Sequence, residues 1–127
     1  MNKKINELIP KALEAIKESK VANANNEVAK EYKGYVSSMG ASIIQSGLLA
    51  TLAFYSNEQS GSADKRLKLL KAIVKTILDI NSNEKLLKYV LSNSNNGSDK
   101  TQINKFEKQI SEALIALKLA IRTFKQE

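Results

Sequence analysis

Apolar residues recur at helical spacing along almost the whole of this chain. Ile5, Leu8, Ile9, Ala12, Leu13 and Ile16 fall at i, i+3, i+4, i+7, i+8, the stripe of an amphipathic helix. Pro10 interrupts that stripe. Either the helix starts near Asn6 with proline in its free first turns, or a longer helix is kinked there. Its predicted end is near Ser19–Lys20. A second helix is predicted from about Asn23 to Ser37, marked by Val28, Ala29, Tyr32, Tyr35 and Val36. Ser37-Ser38-Met39-Gly40 then reads as a break or tight bend. A third helix, about Ala41 to Ser56, carries no charge, and Ile43, Ile44, Leu48, Leu49, Leu52, Ala53, Phe54 and Tyr55 leave little room for a wet face. A helix apolar nearly all round belongs at the centre of a fold or in an interface.

Asn57 to Ser62 reads as a loop, with Ser62 as N-cap of a fourth helix reaching about Ile80. Its apolar stripe is Leu67, Leu70, Val74, Ile77 and Leu78. Asn81-Ser82-Asn83 stops it and caps a short fifth helix, Glu84 to Leu91. Ser92 to Ser98 is polar throughout and is expected to be a mobile loop. Asp99 and Gln102 have the spacing of a capping box at the head of the last helix, Lys100 to about Lys125. There Ile103, Ile110, Leu117 and Phe124 repeat every seven residues, with Phe106, Ala113 and Ala120 interleaved. Over three heptads such a seam reads as an intramolecular core rather than a coiled coil with a partner. No run alternates as a strand. The pattern as a whole predicts a single all-α domain over residues 1–127, a compact bundle of five to six helices.

Composition narrows what such a bundle can do. The chain has 127 residues, of which 43% are hydrophobic and 26% charged, as expected of one ordinary globular domain. It contains no Cys and no His. Thiol nucleophiles, Ser-His and Cys-His pairs, zinc ribbons and Glu-x-x-His di-iron sites are thereby excluded. Lys, Tyr and carboxylates remain, and the expectation is a non-enzyme with no cofactor or metal. No G-x-x-x-x-G-K phosphate loop occurs. The charge-free stretch from Gly34 to Asn57 is long enough to span a bilayer, but Ser37, Ser38, Ser42, Gln45, Ser46 and Thr51 punctuate it. No secretory signal is evident, so no membrane association and a cytoplasmic location are expected.

The net charge of +7 favours an anionic partner. Lys65, Lys68, Lys71 and Lys75 are spaced three, three and four, and so share a face of the fourth helix opposite Leu67, Leu70 and Val74; Arg66 adjoins them. Such a stripe suits phosphate contacts, which are independent of base sequence. Lys118, Arg122 and Lys125 share a face of the last helix, and Lys33 lies beside Lys30 on the second, diluted by Glu27 and Glu31. The bland reading of each group is a solvated helix face. Aromatic stacking platforms are not evident, so recognition of backbone or shape is expected.

Two segments resemble a known family. Tyr32-Lys33-Gly34-Tyr35-Val36-Ser37-Ser38-Met39-Gly40-Ala41-Ser42-Ile43-Ile44-Gln45-Ser46-Gly47-Leu48, continuing into Leu52-Ala53-Phe54-Tyr55, resembles the small-subunit family of the type III-B (Cmr) CRISPR effector complex. Glu112-Ala113-Leu114-Ile115-Ala116-Leu117-Lys118 is similar to that family's Glu-Ala-Leu helix. Gly40 stands where the family commonly has Pro, and Leu119 where it often has Trp. The resemblance implies an all-helical, non-catalytic subunit. Copies of it would stack beside backbone subunits and help form the channel for guide and target RNA. Lys65, Arg66, Lys68, Lys71 and Lys75 would then meet phosphates, with Lys33, Lys118 and Arg122 as secondary contacts. The alternative is a helical protein-interaction adaptor with no nucleic-acid role. An enzyme built on Lys and carboxylates is a third reading, and it would need a pocket with perturbed pKa values.

Overall fold

The heptad seam of the last helix organises the molecule. A computed structural model describes residues 3–59, 61 and 63–127. Among them run six helices: α1 (Lys3–Glu18), α2 (Glu31–Ser46), α3 (Leu48–Tyr55), α4 (Ala63–Ile77), α5 (Leu86–Ser92) and α6 (Lys100–Ile121). The all-α bundle expected from periodicity is observed. Helix α6 packs against α1, α2 and α4. Its Phe106, Ile110, Ala113, Leu117 and Ala120 are buried, so the seam is filled from within the chain. Asp99 caps α6, accepting a hydrogen bond from the Gln102 N–H at 3.2 Å. No helix among the described residues is long and apolar enough to cross a membrane.

Several boundaries move, each for a local reason. Helix α1 is under way by Lys3, so Pro10 lies in its interior rather than its first turns. No helix starts at Asn23. The Asn23 side-chain oxygen instead accepts from the N–H groups of Asn25 (2.9 Å) and Glu27 (3.0 Å), and Asn26 takes a positive φ. Asparagine side chains that satisfy nearby backbone donors divert a chain from helix. The diverted segment forms a two-residue strand, β1 (Glu27–Val28), paired in parallel with β2 (Lys125–Gln126). Helix α6 accordingly stops at Ile121, short of Lys125.

The break expected at Ser37–Gly40 is absent, and α2 runs straight through it. A glycine inside a helix costs only about 1 kcal/mol, and buried Met39 anchors that turn in the core. The break falls instead at Gly47, whose φ of 92° suits glycine alone. Its carbonyl accepts from both the N–H and the hydroxyl of Thr51, and that hydroxyl also meets Ser42 at 2.7 Å. After this turn α3 buries only Leu48, Thr51, Leu52 and Tyr55, one stripe of a short helix. The expectation of a helix buried all round is therefore corrected. Phe54 is 62% exposed, and Ile44, on the preceding helix, 86%.

Of the mobile polar loop expected from Ser92 to Ser98, Ser92 closes α5 and residues 93–98 form a run of tight turns. Buried Ser94 donates to the Val90 carbonyl at 2.6 Å, and Asn95, Asn96 and Gly97 all take positive φ. A Cβ on Gly97 would come within 2.9 Å of the Leu49 side chain, so the turn lies close against α3. The Ser62 N-cap expected for α4 lies outside the described residues.

Ile110→Ala is expected to cost about 2–5 kcal/mol in urea unfolding, the range for deleting a fully buried Ile. Ile103→Ala, at the half-buried head of the same seam, should cost clearly less. Burial pushes the Tyr32 hydroxyl above its ordinary value of 10, with Asp64, Tyr35, Glu127 and Glu31 adding to the shift. Burial also raises Tyr55, opposed by Arg66. Folding thus holds these protons more tightly than the unfolded chain does. The stability linked to them is fully present below about pH 10 and is lost as pH rises beyond it. Spectrophotometric titration should show these two tyrosines ionising late, together with alkaline unfolding.

Candidate nucleic-acid interface

Helix α4 carries the basic stripe expected from the sequence, but the fold breaks it up. The helix is wedged among α1, α6, α2, α3 and α5, so its buried arc extends beyond the leucine stripe to Leu69, Ala72, Ile73 and Thr76. Lys75 falls inside that arc and is only 7% exposed. Its ammonium donates to the carbonyl of Ile80 at 2.7 Å and of Ser82 at 3.2 Å, tying down the chain that leaves α4. Lys75 is thus not on the solvated face. Arg66 is buried as well, its guanidinium carbon 4.9 Å from the centre of the Phe54 ring. Lys65 is half-exposed and turned toward α2, its amine 3.7 Å from Glu31.

Lys68 and Lys71 remain together. Lys68 pairs with Asp64 at 3.0 Å one turn back, and Lys71 is exposed, with no ion pair among the described residues. Both line a cleft of 360 Å³ floored by Leu67, Leu70 and Leu86. Two further lysines reach it. Lys20 comes from the turn after α1, where its φ is 70°, and Lys85 from the residue preceding α5. Glu58, Asp64 and Glu84 line the same cleft. A second cavity of 560 Å³ shares Ser56, Glu58 and Lys85 with it and adds Lys88. The two abut as one trough with five lysines against three carboxylates. Lys85 and Glu58 are 3.6 Å apart and both largely exposed, so their pairing is weak and leaves the lysine available to an anion.

Lys20, Lys85 and Lys88 were not singled out by sequence reasoning. Lys20 lies in a turn and Lys85 in the extended segment before α5 rather than inside the helix expected from Glu84, so no period locates either side chain, and only the packing of α1, α3, α4 and α5 brings them to Lys68 and Lys71. The remaining expected contacts lie elsewhere. Lys118 lines a separate groove of 310 Å³ between α2 and α6, with Gly40, Ala41, Ile44, Leu114 and Ile115. Arg122 is exposed just past α6. Lys33 is exposed on α2, its amine 3.5 Å from the Gln126 side-chain oxygen.

That second groove is apolar. Ile44, Ile115 and, one turn on, Leu119 are three of the four large hydrophobic side chains exposed among the described residues. The molecule therefore carries a basic trough and a distinct greasy groove. Among the described residues no group of acidic side chains could hold a metal ion.

Residues 5–118 match the protein-family model described as CRISPR-associated protein (Cas_Cmr5). Both segments that carried the sequence resemblance lie within that span, as do all five trough lysines; Arg122 lies beyond it. No curated protein and no solved structure matches the chain.

Lys75→Met keeps the buried stem but removes the ammonium from two carbonyls. The expected cost is about 1.5–3 kcal/mol in chemical denaturation, with no change in affinity for nucleic acid. A loss of affinity without a loss of stability would return Lys75 to the interface.

Proposed function

The chain belongs to the CRISPR-associated Cas_Cmr5 family, and we propose that it serves as a non-catalytic small subunit of the type III-B (Cmr) RNA-guided complex. In this reading it acts in the cytoplasm. Copies stack beside the backbone subunits and line the channel for guide and target RNA, while the bond-breaking chemistry belongs to other subunits. The observation that carries the RNA role is the trough. Lysines from α4, α5, the turn after α1 and the segment before α5 converge on one apolar-floored depression, and five of them spread over two abutting cavities suit a phosphate backbone rather than a single small anion. Lys68, Lys71, Lys20, Lys85 and Lys88 meet phosphates here. Lys65, Lys33, Lys118 and Arg122 contribute at longer range, whereas Lys75 and Arg66 support the fold. Lacking His and Cys, the chain offers neither the commonest general base nor a thiol nucleophile for cleaving RNA.

The groove between α2 and α6 supports the protein-contact half of the reading. It is also the observation that favours the adaptor alternative, in which the chain joins proteins and never touches RNA. Clustered aliphatic side chains on a helix pair are the usual face of a partner contact.

Lys68→Glu with Lys71→Glu is expected to weaken binding of single-stranded RNA while leaving the circular dichroism of the helices unchanged. It should also flatten the dependence of log affinity on log salt by about 0.7 for each phosphate no longer neutralised, or about 1.4 for the pair. Tagged chain recovered from cells should bring down partner subunits together with guide RNA. Partners recovered without RNA and insensitive to ribonuclease, with an unchanged salt slope in the double variant, would replace this reading with the adaptor.

A further inference from the structure

Asn96-Gly97 is the only Asn-Gly pair in the chain, and the turn after α5 calls for it. Asn96 takes a φ of 57° and Gly97 one of 91°. Asparagine tolerates the left-handed region better than most residues, and the second value suits glycine. The same pair is the most labile linkage an asparagine makes. With no Cβ in the way, the glycine nitrogen can bond to the asparagine Cγ. The side-chain nitrogen then leaves as ammonia, taking the proton that the glycine nitrogen gives up. Water opens the resulting five-membered imide at either carbonyl. The products are aspartate and isoaspartate, and each carries one new carboxylate.

Two neighbourhoods act on this reaction in opposite senses. Asn96 is exposed, its side-chain amide makes no hydrogen bond among the described residues, and it lines the 560 Å³ cavity of the trough beside Lys85 and Lys88. Ammonium groups there favour an anionic nitrogen and a carboxylate product. Ser94 restrains the attacking atom. The Gly97 N–H donates to the Ser94 carbonyl at 3.0 Å and to the Ser94 hydroxyl oxygen at 3.2 Å. Ser94 is 1% exposed, and its hydroxyl is fixed on the Val90 carbonyl at 2.6 Å. The proton that has to leave is therefore shared by two acceptors on an anchored residue. Asn93, by contrast, has its amide tied to the Tyr89 carbonyl at 2.8 Å and is followed by serine. We propose that Asn96 is a site of spontaneous deamidation whose rate Ser94 sets, and that the product loosens the trough's hold on phosphates. The trough then carries four carboxylates against its five lysines, and the new one competes with RNA for Lys85 and Lys88. The covalent step stands on the turn alone; its effect on binding rests on the RNA reading of the trough.

The purified chain is incubated in mildly alkaline buffer beside the tryptic peptide of residues 89–100 as an unfolded reference. Peptide mass spectrometry and isoaspartyl methyltransferase labelling locate the change. Asn96 is expected to convert before any other asparagine of the folded chain, and more slowly there than in the peptide. Ser94→Ala should speed conversion by roughly 2- to 10-fold, the worth of one hydrogen bond. If that variant does not fold, hydrogen exchange at the Gly97 amide of the unaltered chain answers instead, and exchange as fast as in the peptide defeats the restraint. Asn96→Asp installs one product directly. It should weaken oligouridylate binding by about 1.5- to 5-fold, as expected of one exposed ion pair formed within the chain, and flatten the salt slope by about 0.7. Earlier conversion elsewhere, no conversion of the folded chain once the peptide has reacted fully, equal rates in the two, or an unchanged rate in folded Ser94→Ala overturns the proposal. So does unchanged RNA affinity in Asn96→Asp. If the unaltered chain does not bind oligouridylate at millimolar concentration, the RNA reading falls and the effect on binding falls with it, while the mass spectra decide the covalent step separately.

Discussion

Everything in this bundle depends on how closely α1, α4 and α6 approach one another, and alanine sets that distance. Ala12 and Ala15 on α1, Ala72 on α4, and Ala113, Ala116 and Ala120 on α6 are all buried to within a percent of completely. Small side chains at a crossing let helix axes come near the short end of the usual 8–10 Å spacing. Ile16, Leu69, Ile73, Ile110 and Leu117 then fill the space between them. A larger residue at any of these alanines would overpack the junction, at about 1–3 kcal/mol, and would push α4 away from α1. The trough would change with it, because its walls are the surface of α4 and the turn leaving α1.

The same tight junction explains what a sequence reading could and could not see. The α6 seam was legible because the helix is long, its period is regular and its core side is a single stripe. α4 was legible as a helix but not as a surface. Packing on several sides widens its buried arc past any stripe that spacing alone would draw, and Lys75 is drawn inside. The position of the α2–α3 break was not legible either. Ser37-Ser38-Met39-Gly40 has the composition of a turn, yet Met39 and Val36 both point into the core and hold the helix through it. The decisive residue was Gly47, whose carbonyl and unusual φ organise the Thr51–Ser42 hydrogen bonds. In the sequence it stood inside the predicted third helix, where a glycine suggests close approach by a neighbouring helix, yet a Cβ there would meet nothing within 4 Å.

The candidate site was half visible for a related reason. Of the residues that carry the family resemblance, Ile43, Leu48 and Leu52 are buried, whereas Ala53 and Phe54 are exposed. The resemblance therefore reports mostly on the core that the family shares and says nothing of where the lysines lie. Lys68 and Lys71 were found because they repeat on a helix. Lys20 and Lys85 escaped because a turn and an extended segment have no helical repeat, and the exposure of Phe54 because it sat in a segment whose apolar content suggested complete burial. Charge totals pointed to an anionic partner without saying where it would bind, and only tertiary packing gathers five lysines along one trough.

The small parallel pairing of Glu27–Val28 with Lys125–Gln126 has a consequence in time rather than space. Its partners are separated by most of the chain, and it is reinforced by the Glu127 N–H donating to the Val28 carbonyl and by the Asn23 amide donating to the Glu127 carboxylate. Helices made of local contacts assemble early, whereas distant pairings wait for the loop between them to close. On a ribosome this clasp cannot form until residues 125–127 have emerged, after α1 through α5 have had their chance to fold. The irregular stretch from Val21 to Lys30 therefore spends synthesis without its neighbouring strand. Its asparagine turn has to hold that shape alone until residues 125–127 arrive to fasten it.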